Sequence, residues 1–176
     1  RGADVVKGPI LAAVGAGMPM RGARGRMIVV GGGGTTDVAV ISLGGIVCST
    51  SVKCAGTKID QAIIDYVKKT YNLAIGDQTA EDIKIKIGSA LPVEEELVLK
   101  VKGRDFIAGL PRTVEIRTNE IVKAIDKELK IMIKAIKDVL QETPPELASD
   151  IIDNGIIMSG GSSMLRHFPD LVERRT

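Results

Sequence analysis

Apolar residues along this chain change spacing several times, and the changes divide it into strands and helices. Pro9–Gly15 reads as a short helix with proline in its first turn and glycine at its end. A loop from Gly17 to Arg26 leads to three extended runs, Met27–Val30, Asp37–Leu43 and Ile46–Lys53. Glycine-rich turns separate them, the second at Gly44-Gly45, and connections this short predict an antiparallel meander. From Asp60, placed as a helix cap, Ile63, Ile64 and Val67 make one apolar stripe through Tyr71, with Lys68 and Lys69 outside it. Thr79-Ala80-Glu81-Asp82 opens another helix, Thr79 and Asp82 forming a capping box with a shorter acid. Ile83, Ile87 and Ala90 are its buried face, and Gly88 and Pro92 end it.

Glu96–Lys102 alternates polar and apolar around Leu97, Leu99 and Val101, a half-buried strand. Gly103-Arg104-Asp105 reads as a turn and Thr113–Ile116 as the partner strand. Thr118 begins the longest helix, which runs to about Glu142 with Ile121, Ile125, Leu129, Met132, Ile136 and Leu140 on one face. Lys123, Lys127, Lys130, Lys134 and Lys137 fall largely on the others, a solvated face in the plain reading and a binding surface in the alternative. Pro144-Pro145 stops this helix, a short one follows through Leu147–Ile152, and Gly155–Met158 reads as a buried strand ending in Ser159-Gly160-Gly161-Ser162-Ser163. Residues 60–142 thus look like helices and one hairpin inserted into a glycine-decorated sheet made by 1–59 and 143–176. An α/β fold with two lobes and a cleft is the expectation.

Composition adds mainly exclusions. With 176 residues, 44% hydrophobic and 26% charged, the chain describes an ordinary globular protein, and a net charge of +2 selects no partner. Two Phe, two Tyr and no Trp leave almost nothing on which single-stranded nucleic acid could stack, so no nucleic-acid partner is expected. Cys48 and Cys54 lack CxxC spacing and read as free thiols in a reducing compartment. No apolar run reaches the roughly 18–20 residues that span a bilayer, and no secretory signal is visible. Arg1, Lys7, Arg21, Arg24 and Arg26 outweigh Asp4 near the start, a basic bias that is either a solvated face or a contact with anionic lipid. The first residue is Arg1 and not Met, so a fragment is expected. His167 reads as a surface residue, and Met18, Met20, Met27, Met132, Met158 and Met164 as packing.

Chemistry concentrates in two glycine turns. Gly31-Gly32-Gly33-Gly34-Thr35-Thr36-Asp37 follows one apolar strand and precedes another. Four glycines remove the Cβ atoms that would keep an anion from main-chain N–H groups; Thr35 and Thr36 add hydroxyls, and Asp37 could hold a metal-bound water. A tight hairpin is the plainer alternative. The second turn, at residues 160–163, also follows a strand. If both strands share one sheet, one turn could hold phosphate while the other lets an adenine or ribose lie against bare backbone.

Gly32-Gly33-Gly34-Thr35-Thr36-Asp37-Val38-Ala39-Val40-Ile41-Ser42-Leu43-Gly44-Gly45-Ile46-Val47 resembles the MreB family of bacterial actins. So do Tyr71-Asn72-Leu73, Thr79-Ala80-Glu81, Ile87-Gly88-Ser89-Ala90 and Gly103-Arg104-Asp105. Gly109-Leu110-Pro111 with Thr113-Val114-Glu115-Ile116, and Thr143-Pro144-Pro145-Glu146-Leu147-Ala148, are similar as well, so the match runs from Pro9 to Leu165. The resemblance implies an actin-like fold on ribonuclease-H-like sheets, with ATP and Mg²⁺ in the cleft. It implies self-association into membrane-associated cytoplasmic filaments that organise the wall-elongation machinery at the inner membrane and maintain rod shape.

By position, Gly32, Gly33, Gly34, Thr35 and Thr36 match the second phosphate loop, with Thr35 the threonine near the attacking water. Glu81, Lys84 and Gly88 match the helix beside the nucleoside, where Glu81 and Lys84 could equally be an ordinary ion pair. Gly160, Gly161 and Ser162 match the adenosine loop, or a plain strand-to-helix turn. The family's first phosphate loop lies upstream of Arg1 and its last strand and helix beyond Thr176, so the chain by itself is not expected to form filaments.

Departures cluster at the same place. Val30 stands where the family has an Asp that helps hold Mg²⁺, so no protein residue is assigned to the metal. Gly8 replaces a Glu that orients water, Thr57 replaces the acid of an Ala-Gly-Asp motif, and Ser162 replaces a third glycine. Nucleotide binding is therefore implied more firmly than hydrolysis. A degenerate actin-like module that binds filament subunits or partners without nucleotide is the alternative. A sugar kinase or chaperone ATPase on the same fold finds no substrate-lobe motif to support it.

Overall fold

The computed structural model describes residues 8–19 and 22–176. Expectations that rest on Arg1, Asp4, Lys7, Met20 and Arg21 lie outside them. The chain opens on helix α1 (Gly8–Gly15) and strands β1 (Arg26–Gly31), β2 (Thr36–Ser42) and β3 (Gly45–Val52). The expected meander is present: β1 pairs antiparallel with β2, and β2 with β3. Strand β7 (Ile156–Ser159) joins parallel to β1, with Val30 opposite Ser159, giving the order β3-β2-β1-β7. Met27, Val29, Val38 and Val40 face one side of this sheet, while Ile28, Ala39 and Ile41 face α1 and Met18 on the other. Burial on both faces is why β1 and β2 read as unbroken apolar runs and not as alternation. The β2–β3 register slips at Val40/Ile41, so Cys48 pairs with Val40 on one face and Ile46 with Ile41 on the other. Leu43 and Gly44, both at positive φ, make the tight turn, one residue earlier than expected.

Helix α4 (Thr118–Glu142) covers the first face of the sheet, α2 (Gly56–Tyr71) packs on α4, and α3 (Asp77–Ile87) packs on α2. A second sheet, β4-β5-β6, is formed by Leu73–Ala74, Val98–Asp105 and Pro111–Arg117. One continuous apolar core joins the two sheets, running from Val29 and Val40 through Ile63, Ile83 and Ile125 to Val101 and Ile116. The chain closes with α5 (Pro145–Asn154), β7, a single 3₁₀ turn (Gly161–Met164) and α6 (Phe168–Arg175).

Several local expectations are corrected. Helix α2 begins four residues before Asp60, because the first N–H groups of the helix are satisfied by loop carbonyls and need no side-chain cap. Helix α3 begins at Asp77, placing Thr79 and Asp82 inside it. Residues Gly103-Arg104-Asp105 end strand β5 and the turn lies beyond them; a Cβ on Gly103 would sit 2.5 Å from the Ala74 carbonyl of β4, so the glycine serves strand approach. Strand β7 is half-buried because it lies at the edge of its sheet. Met164 is 83% exposed and packs nothing, whereas Met18, Met27 and Met132 are core. His167 is exposed, as expected, with its ring beside Asp170.

Candidate functional site

Parallel pairing of β1 with β7 brings the ends of both strands to one edge, so the turns that follow them touch. The contact is backbone against backbone. A Cβ on Gly160 would stand 2.3 Å from the Gly31 carbonyl oxygen, and one on Gly31 would stand 2.9 Å from Ser162 Cβ. Gly160 also holds φ near +87°, where side chains are strained. The two turns the sequence set 130 residues apart are thus one structure, joined by a hydrogen bond from Ser162 Oγ to the Gly32 carbonyl at 2.7 Å.

The start of α2 forms the third wall. Gly56 N–H donates to Gly32 O at 3.1 Å and Thr57 N–H to Gly33 O at 2.8 Å. The positive end of a four-turn helix is therefore aimed at the loop, as at many anion sites. Gly32 N–H closes the turn onto Thr35 O, while the N–H groups of Gly33 and Gly34 donate to no protein carbonyl among the described residues. A Cβ on Gly34 would meet nothing within 4 Å, and one on Gly33 would meet only Thr57 Oγ1, at 3.7 Å. Free donors beside open space are what a bound anion requires.

The two threonines differ. Thr35 is exposed on the loop and its Oγ1 lies 3.2 Å from Asp37 Oδ2. Thr36 is fully buried and its hydroxyl donates to the Cys54 carbonyl at 2.7 Å, anchoring the loop from behind. Cys54 is buried there too; burial first, then the Glu128 carboxylate, push its thiol pKa up against the pull of Lys58.

Helix α3 brings Lys84 to the same corner. Its Nζ lies 2.8 Å from Asp60 Oδ1, both side chains 17% exposed, and 3.5 Å from where a Gly56 Cβ would be. The pair sequence reading suggested for Lys84 was Glu81; Glu81 is instead exposed on α3, and Asp60 takes the ammonium. Gly88 ends α3 buried: a Cβ would stand 2.3 Å from Lys84 O. Its carbonyl accepts Arg166 Nε at 3.1 Å, and Ala90 N–H donates to Arg166 O, which ties α3 to the chain beyond Gly160-Gly161. From sequence Asp60 reads only as a helix cap and Thr57 only as a lost acid, so the bonds that Asp60, Gly56 and the Thr57 N–H make here were not expected. The only signal for them is the Ala55-Gly56-Thr57 triplet after β3.

No group of three or more His, Cys, Asp or Glu among the described residues could hold a metal. Beside the loop stand Val30 and Thr57, and Asp37 is the one carboxylate at its end. Two open grooves of ≈ 530 and ≈ 640 Å³ are lined by other elements.

Comparison with known proteins identifies the family. A family model described as MreB/Mbl protein matches residues 1–176. The chain is 48% identical over 157 residues to the cell shape-determining protein Mbl of Bacillus cereus, covering 89% of this chain and 47% of that one. It is 44% identical over 172 residues to the cell shape-determining protein MreB of Escherichia coli K12, covering 98% and 50%. The crystal structure of MreB5 of Spiroplasma citri bound to ADP is similar at a TM-score of 0.89 and 40% identity, covering 94% of this chain and 51% of that one. The chain spans about half the length of the curated relatives it matches.

Proposed function

This chain belongs to the MreB/Mbl protein family of bacterial actins, and from that premise we propose that its interlocked turns bind an adenine nucleotide. The fold is the actin-like one. Gly32, Gly33, Gly34 and Thr35 receive the phosphates, with Thr36 anchoring the loop. Gly160, Gly161 and Ser162 form the nucleoside side with Glu81, Lys84 and Gly88. The observation that carries this reading is the pair of exposed glycines at the start of α2, Gly33 and Gly34, whose N–H groups donate to no protein carbonyl among the described residues. ADP bound to the Spiroplasma relative supports the ligand class. Magnesium, where it accompanies the nucleotide, is held by phosphate and water more than by this chain, and no hydrolytic step is assigned to these residues.

Rod-shape determination, filament assembly and attachment to the inner membrane and wall-elongation machinery are the family's roles. Membership in that family supports the same roles for this chain. No helix among the described residues is long and apolar enough to cross a membrane. Isothermal titration with ADP and with ATP, each with and without magnesium, tests the reading: a dissociation constant below about 100 μM is expected. Absence of heat and of competition against a fluorescent adenine nucleotide up to millimolar concentration overturns it.

A further inference from the structure

Ser162 lies in the turn assigned to the nucleoside, yet its side chain hydrogen-bonds to the phosphate turn. It is 8% exposed. Its Oγ donates to Gly32 O at 2.7 Å, its Cβ is 2.9 Å from where a Gly31 Cβ would be, and its Oγ is 3.4 Å from a would-be Gly56 Cβ. Among the described residues, this is the one side-chain hydrogen bond between the two turns. Gly32 O accepts a second bond, from Gly56 N–H. Two donors therefore fix that carbonyl from the adjoining turn and from α2.

The peptide unit turns this into a statement about recognition. The Gly32 carbonyl and the Gly33 N–H share one planar trans peptide and point in opposite directions. Holding the carbonyl holds the N–H, which is one of the two free donors of the cradle. In a run of four glycines this peptide has unusual freedom to rotate, so a fixed carbonyl matters more here than in ordinary backbone. Resting on the nucleotide reading above, we infer that Ser162 is a positioning residue for phosphate: through Gly32 O it aims the Gly33 N–H, although it belongs to the opposite turn.

Ser162→Ala removes the hydroxyl and keeps the Cβ, and Ser162→Gly installs the residue that the family resemblance leads one to expect. Dissociation constants of ADP, adenosine and inorganic pyrophosphate are measured by titration for the wild-type chain and both variants, with thermal melts as a check on folding. Loss of one positioned hydrogen bond is expected to weaken ADP and pyrophosphate about fivefold in both variants, with adenosine changed by less than about twofold. A loss for adenosine with pyrophosphate unchanged would assign Ser162 to the nucleoside and overturn the inference. So would equal binding of all three ligands by wild type and variants, or an equal loss for all three that follows a lowered melting temperature. A wild-type chain that binds none of them refutes the nucleotide reading itself, and is distinguishable because it needs no variant.

Discussion

Single residues decide how firmly the insertion of helices holds to its hairpin, and Tyr71 is the clearest case. Its hydroxyl and that of Tyr66 both donate to Glu120 Oε1, while Glu120 Oε2 accepts the Arg117 N–H at the start of α4. One carboxylate thus ties α2, β6 and α4. Burial first, then the nearby Glu120 carboxylate, raises the Tyr71 pKa above the ordinary phenol value. A folded pKa above the unfolded one means stability that is present below pH ~10 and lost as pH climbs past it. Tyr71→Phe is expected to cost about 1–2 kcal/mol at neutral pH. It should also flatten the decline of stability above pH ~10, both read from urea melts at two pH values. None of this was legible in the sequence. Tyr66 and Tyr71 fall five residues apart, and Glu120 meets them only because α4 packs across α2. The glycines and threonines of the loop were legible, because few turns other than ligand turns call for so many residues without a Cβ. The roles within that set were not: the buried Thr36 hydroxyl and the exposed Thr35 hydroxyl look alike until β2 is paired.

Elements were read best where burial is one-sided and long. Helix α4 buries Ile121, Ile125, Leu129, Met132 and Ile136 at three- and four-residue spacing, as its sequence indicates. Ile136 is fully buried where the helix crosses the sheet, and Ile136→Ala is expected to cost about 2–5 kcal/mol, measured by chemical denaturation. Elements short enough to depend on partners were missed. Strand β4 is two residues, Leu73–Ala74, and exists because Gly103 lets β5 approach. Helix α6 has apolar Phe168, Leu171 and Val172 too few to show a period. Helix starts were misplaced at Asp60 and Thr79 for one reason: the true starts, Gly56 and Asp77, have no side-chain cap to announce them.

At the scale of the molecule, the sequence suggested helices and one hairpin inserted into a glycine-decorated sheet, and the apolar core is continuous between the two sheets. Such a core predicts one cooperative thermal transition, with circular dichroism and calorimetry coincident; two separable transitions would show that the insertion melts alone. The interlock of the two turns bears on ancestry as well. Gly31 and Gly160 are demanded by packing, since a Cβ on either would collide with the opposite turn. Gly34 and Gly161 are not, for a Cβ there would meet nothing within 4 Å. In a lineage released from nucleotide binding, selection for folding would preserve the first two glycines and let the second two drift. The survival of Gly34 and Gly161 among descendants is therefore the informative record of a ligand still in use, whereas the survival of Gly31 and Gly160 reports only that the protein still folds.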